Sequence, residues 1–138
     1  MKKCGILNKQ LSEVIAGLGC SDMIIICDAG LPIPDECERI DLALMKGVPT
    51  FFTVLEALMK EIVVEKAILA TECKEKSSSF HNEALEKINP LKPEYMPHEE
   101  FKKICKNAKA IIRTGEFTPY ANIALICGSL YESLRKEG

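Results

Sequence analysis

The sequence predicts an α/β fold: one layered domain over residues 1–138, with a largely parallel sheet flanked by helices. Three observations carry that expectation. The run Met23-Ile24-Ile25-Ile26 is apolar at every position, as in a strand buried on both faces. Apolar spacings of helical period alternate along the chain with short β-branched runs. Gly and Pro clusters fall between these segments rather than within them.

The elements follow in order. Asn8 caps a helix whose Leu11, Val14, Ile15 and Leu18 form one apolar face, and Gly17 and Gly19 close it. Residues 23–28 form the buried strand, followed by a loop at 29–38 rich in prolines and acids. Ile40-Asp41-Leu42-Ala43-Leu44 alternates like a second strand, and Gly47-Val48-Pro49 marks a turn. Thr50 caps a helix with Phe51, Val54, Leu55, Leu58 and Met59 on its buried side. Val63 to Ala70 reads as a strand interrupted at Glu65-Lys66. Ser77-Ser78-Ser79 is a polar break before a helix at 80–88, and Pro90 and Pro93 mark a link. Pro97-His98-Glu99-Glu100 starts a helix with acids in its first turn. Residues 110–113 and 123–127 are two further buried strands, and the charged residues 132–138 are expected to fray.

Composition narrows the function classes. Hydrophobic residues make up 47% and charged residues 28%, an ordinary soluble balance, and the net charge is −2. The chain has no basic run, so nucleic acid is not an expected partner. It has no apolar stretch of about 18 residues and no leader pattern, so neither a membrane span nor export is expected. The 7 cysteines are odd in number and none is spaced C-x-x-C, which favours reduced thiols over disulfides or zinc.

Three polar clusters sit where elements begin or end: Cys20-Ser21-Asp22 with Asp28, His98 at a helix start, and Tyr120-Ala121-Asn122 ahead of a strand. Asp28 is the most informative, because a carboxylate at the carboxyl end of a central α/β strand lies where ligands bind. The segment Gly30-Leu31-Pro32-Ile33-Pro34 after it is stiff and resists helix. If residues 120–122 are extended, Tyr120 and Asn122 face the same way. A carboxylate, an imidazole, a phenol and a carboxamide suit a neutral polyhydroxyl ligand. The chain has neither a phosphate-binding glycine loop nor clustered arginines. Each residue also has a plainer use. Asp28 can cap a turn, His98 can be exposed or a weak helix cap, Tyr120 can be an ordinary half-buried aromatic, and Asn122 can simply begin its strand. Arg113 and Glu116 read as a solvated or locally paired face, and His81 as surface.

Several stretches resemble the D-ribose pyranase family of the RbsD/FucU sugar mutarotases, in order along residues 1–130. They are Gly5-Ile6-Leu7-Asn8, Leu18-Gly19-Cys20-Ser21-Asp22, Asp28 through Pro34, and Arg39 through Leu44 with Gly47-Val48-Pro49. Then come His98-Glu99-Glu100-Phe101-Lys102 and Ile112 through Asn122. The resemblance implies a cytoplasmic enzyme without metal or cofactor that interconverts the β-pyranose and β-furanose forms of ribose. It implies a ring-shaped homo-oligomer, commonly a decamer of two stacked pentamers, with sugar sites at subunit contacts. It also implies that Asp28, His98, Tyr120 and Asn122 bind the sugar.

The chain departs from the family at one position: Cys20 stands where the resemblance places a histidine proton donor. Three readings of that departure stay open. Cys20 exchanges protons in place of the imidazole, His98 has taken over proton transfer, or the protein binds sugar with weak or no turnover. A thiol-dependent enzyme with Cys20 as nucleophile has no activating histidine nearby in sequence to support it.

Overall fold

A computed structural model describes residues 1–130. The element order is α1 (Lys9–Ala16), β1 (Met23–Cys27), β2 (Arg39–Asp41), α2 (Phe51–Met59), β3 (Val64–Ala70), α3 (Cys73–Lys76), α4 (Ser78–Ile88), β4 (Glu94–Met96), α5 (His98–Ile104), β5 (Ala110–Arg113) and β6 (Ile123–Cys127). A single turn of 3-10 helix, Cys105–Asn107, follows α5. The expectation for residues 132–138 lies outside the described residues.

Local chemistry explains the starts of α1 and α2. The Asn8 side chain accepts from the Leu11 amide, and the Thr50 hydroxyl accepts from the Thr53 amide, so each satisfies an otherwise orphaned donor. The Ser77 break separates α3 from α4; four-residue α3 has no apolar period of its own to announce it. Strand β4 is equally short, with three residues at the sheet edge. The second strand ends at Asp41 rather than at Leu44, because the chain then turns back through a Met45–Val48 bridge.

The six strands form one sheet in the order β2-β5-β1-β6-β3-β4. The sheet is mixed, which corrects the largely parallel arrangement expected from the sequence. β2, β5, β1, β3 and β4 run one way, and β6 runs against both of its neighbours, β1 and β3. The cause is the connection at 114–122. It holds no helix and is too short for a crossover. It passes over the carboxyl end of β1 instead and brings the chain back antiparallel on the other side.

Helices cover both faces. Ile24, Ile26 and Leu69 pack with Leu11, Phe51, Leu55, Leu58 and Ile88 on the face of α1, α2 and α4. Met23, Ile25, Cys27 and Ile111 pack with Phe101 and Cys105 on the face of α5. β1 alternates between the two cores, so every one of its residues is buried and its sequence shows no alternation. The charged interruption at Glu65-Lys66 is a shift of register between Val64 and Lys66, an irregularity that lets both charges reach solvent at the strand's start.

Gly115 is fixed by a close approach. A Cβ there would meet the Met45 carbonyl oxygen and lie 2.8 Å from the Val48 amide. Gly115→Ala is therefore expected to cost about 1–3 kcal/mol in a denaturant melt, as overpacking against backbone does. An unchanged midpoint would show that the 44–48 hairpin yields freely.

Candidate functional site

The carboxyl ends of β1, β5, β3 and β4 and the start of β6 lie along one edge of the sheet. There they deliver Asp28, Arg113, Glu72, His98 and Asn122. A pocket of about 540 Å³ opens at this edge, lined by residues 28–32, His98, Arg113, Glu116, Phe117, Pro119 and Tyr120. It falls in the size range of small-ligand sites.

Asp28 forms the floor. One carboxylate oxygen accepts from the Gly30 amide at 3.0 Å, and the other lies 3.5 Å from Asn122 Nδ2. Burial raises the carboxyl above its ordinary range, against the Gly30 and Leu31 amides, the Asn122 side chain and the nearby His98, which favour the charged form. Asn122 is fully buried, and its Oδ1 accepts from the Asp28 amide at 2.9 Å. It holds Asp28 from behind and is not in the pocket wall.

Tyr120 is in the wall. Its φ of +60° breaks the extended run on which the same-side reading of Tyr120 and Asn122 depended, so the two side chains part. The Tyr120 ring meets the His98 ring edge to face, 5.1 Å between centroids at 83°. His98 is half-buried rather than an exposed cap. Its Nδ1 is out of solvent with no hydrogen-bond partner among the described residues, an unpaired buried polar atom beside the pocket.

Sequence reasoning missed part of this wall. Arg113 is locally paired, as expected, with Nη1 3.2 Å from both Asp41 oxygens, while its Nε donates to the Ala29 carbonyl at 3.0 Å. It thereby braces the loop after Asp28. Glu116 is likewise locally paired, accepting from the Thr118 hydroxyl, and it also accepts from the distant Phe51 amide at the start of α2. The signal that could have pointed to it was the Thr114-Gly115-Glu116 turn beside a cap-bearing helix. His81 is not free surface, since its Nε2 lies 2.6 Å from the Tyr95 hydroxyl.

Cys20 lies elsewhere. It is exposed on the turn before β1, at the opposite end of that strand from Asp28. Five residues of strand separate them by roughly 17 Å. Ser21 holds that turn with a φ of +73° and donates its amide to the Cys127 carbonyl. Asp22 accepts from the Gly19 amide at 2.8 Å, so it shapes the turn. One chain therefore brings together Asp28, His98, Tyr120 and, behind them, Asn122, but not Cys20.

The thiols divide sharply by environment. Burial pushes Cys27 up to about 12 and Cys73 and Cys105 up to about 11, and it raises Cys127 as well. Only Cys4 and Cys20 are exposed. Brief alkylation at neutral pH, read by peptide mass mapping, is expected to modify those two first. Early modification of Cys27 or Cys73 would contradict the packing described.

The fold and the pocket define an α/β protein with a small-ligand site at the carboxyl edge of its sheet. The chain belongs to the RbsD / FucU transport protein family, which it matches over residues 1–130. It is 51% identical to a D-ribose pyranase of Geobacillus thermodenitrificans over 128 residues, covering 93% of this chain and 97% of that protein. It is 50% identical to a D-ribose pyranase of Clostridium novyi, covering 95% and 100%. Its fold matches that of Bacillus subtilis RbsD complexed with D-ribose, with a TM-score of 0.90 and 47% identity over 94% and 98% of the two chains. A fucose mutarotase from Streptococcus pneumoniae, at 22% identity and a TM-score of 0.75 over 94% and 99%, shares the fold.

Proposed function

We propose that this protein is a D-ribose pyranase, which opens the ribose ring by acid/base catalysis and recloses it between the pyranose and furanose forms. The observation that carries the reading is the pocket at Asp28, His98 and Tyr120 in a chain about half identical, over nearly its full length, to D-ribose pyranases. Ring opening takes a proton from the anomeric hydroxyl and gives one to the ring oxygen, and reclosure reverses both transfers. Asp28 accepts a sugar hydroxyl proton in a hydrogen bond. The His98 imidazole supplies a second polar contact, and the Tyr120 ring gives the sugar an apolar wall. Asn122 orients Asp28.

Cys20 stands at the proton-donor position. Its placement across the sheet from the pocket supports a site completed by the Cys20 of a neighbouring copy in a ring-shaped homo-oligomer. Among the described residues no helix is long and apolar enough to cross a membrane. The role that goes with this activity is cytoplasmic, downstream of sugar uptake and upstream of a kinase acting on the furanose.

Cys20 also favours a second reading, a sugar-binding homologue with weak turnover. Calorimetry with D-ribose combined with magnetisation-transfer NMR separates the two. Faster pyranose–furanose exchange supports the pyranase. Binding without exchange leaves only the binding protein, and absence of both removes the sugar reading.

A further inference from the structure

We propose that α3 is a bracket that positions two facing rings of the pocket, with Glu72 at one end setting His98 and Ser77 at the other setting Tyr120. The inference rests on the sugar-site reading above. Neither Glu72 nor Ser77 lines the pocket, so both act through the residues they hold.

Both oxygens of the Glu72 carboxylate accept from the His98 backbone amide, at 2.9 and 3.1 Å. That amide opens α5, where Pro97 occupies the cap position and makes no side-chain cap bond. A carboxylate at the start of a helix is the favoured partner for such a donor. Pro97 has its φ set by its own ring, and the next amide is held by Glu72. The backbone entering His98 is therefore held by Pro97 and Glu72, and the backbone leaving it by α5, which limits where its imidazole can point.

At the other end, Ser77 is buried and its hydroxyl donates to the Pro119 carbonyl at 2.6 Å. Pro119 directly precedes Tyr120, whose φ of +60° is disfavoured for a residue with a bulky side chain and persists only where its surroundings hold it. Lys76 lies 5.8 Å from the Tyr120 ring, on the same short helix. The four residues of α3 set the spacing between the two anchors that flank it, roughly 7–8 Å along the helix axis. Fully buried Cys73 fixes α3 to the core. The edge-to-face contact of His98 with Tyr120 is thus the product of two separate hydrogen-bonded anchors on one rigid turn.

Three measurements test the bracket. Glu72→Ala is expected to slow ribose exchange about 10- to 100-fold, as a displaced catalytic-site group does. Glu72→Gln keeps one carbonyl acceptor and recovers most of that rate. In a His98→Ala background, Glu72→Ala should cost nothing further, even where it still lowers the melting temperature. An equal loss in both backgrounds makes Glu72 a general stabiliser and overturns the proposal. The third measurement needs no ligand. Nuclear Overhauser contacts between the His98 and Tyr120 rings of the free protein are expected in wild type and Glu72→Gln, and to be lost in Glu72→Ala and in Ser77→Ala. If those contacts persist in both variants, the bracket is wrong whatever ribose does. If wild type fails to accelerate exchange, the sugar reading fails while the ring contacts still decide the bracket.

Discussion

Asp28→Asn is expected to weaken ribose binding by roughly 10- to 100-fold, the loss of about 1.5–3 kcal/mol from one hydrogen bond to a charged acceptor. The substitution keeps a carbonyl for the Gly30 amide but turns an N–H toward Asn122 Nδ2, where the carboxylate oxygen sat. Calorimetry measures the affinity directly, and an unchanged value would reduce Asp28 to a turn cap. The pH dependence offers an independent check. Burial raises this carboxyl above 3.8, so the folded protein holds a proton that the unfolded chain has already released. Folded Asp28 therefore binds more protons than unfolded Asp28 between those two values. Wild type must then lose stability relative to Asp28→Asn as pH rises through that window. Ribose affinity should run the other way, falling on acidification at a higher pH than an ordinary aspartate would give, because the protonated carboxyl is a poorer acceptor. Parallel melts and titrations from mild acid to neutrality would show both trends. Identical pH profiles for the two proteins would remove Asp28 from the account.

Cys20→His is expected to raise the exchange rate by up to about 10²–10⁴-fold, the usual contribution of a general acid/base. Imidazole has two protonatable nitrogens and titrates nearer neutrality than a thiol, ~6.5 against ~8.5. It can therefore pass a proton between two positions where a thiol cannot. The turn that carries Cys20 is held by backbone bonds from Ser21 and Asp22, and Cys20 is exposed, so the larger side chain fits without disturbing the core. Exchange rates of wild type, Cys20→His and Cys20→Ser in one NMR series decide the point. No gain in a folded Cys20→His protein would mean that position 20 does not limit the rate. A further fall in Cys20→Ser would show that the thiol itself takes part.

Much of this was legible in the sequence wherever local chemistry decides structure. The Ile run announced β1, and Asn8 and Thr50 announced two helix starts through their own side chains. Asp28 could be placed at a strand end because the stiff loop after it admits little else. What was hidden depended on distant partners. The reversal of β6 follows from how the 114–122 loop crosses β1, which no periodicity records. Tyr120 and Asn122 part because of one left-handed residue, and two-residue alternation holds only in an extended chain. Glu72 was invisible because its partner, the His98 amide, is 26 residues away. Cys20 and Asp28 are near in sequence and far apart in space for the simplest reason, that a whole strand lies between them.

The central claim is that this chain turns ribose over with a thiol at the donor position. Two-dimensional exchange NMR of ¹³C-labelled D-ribose with the wild-type protein tests it most directly. The account predicts pyranose–furanose cross-peaks that build up faster than in buffer, scale with protein concentration and weaken with Asp28→Asn at equal ribose. Cross-peaks no stronger than in buffer, from a protein that binds ribose by calorimetry, would contradict it.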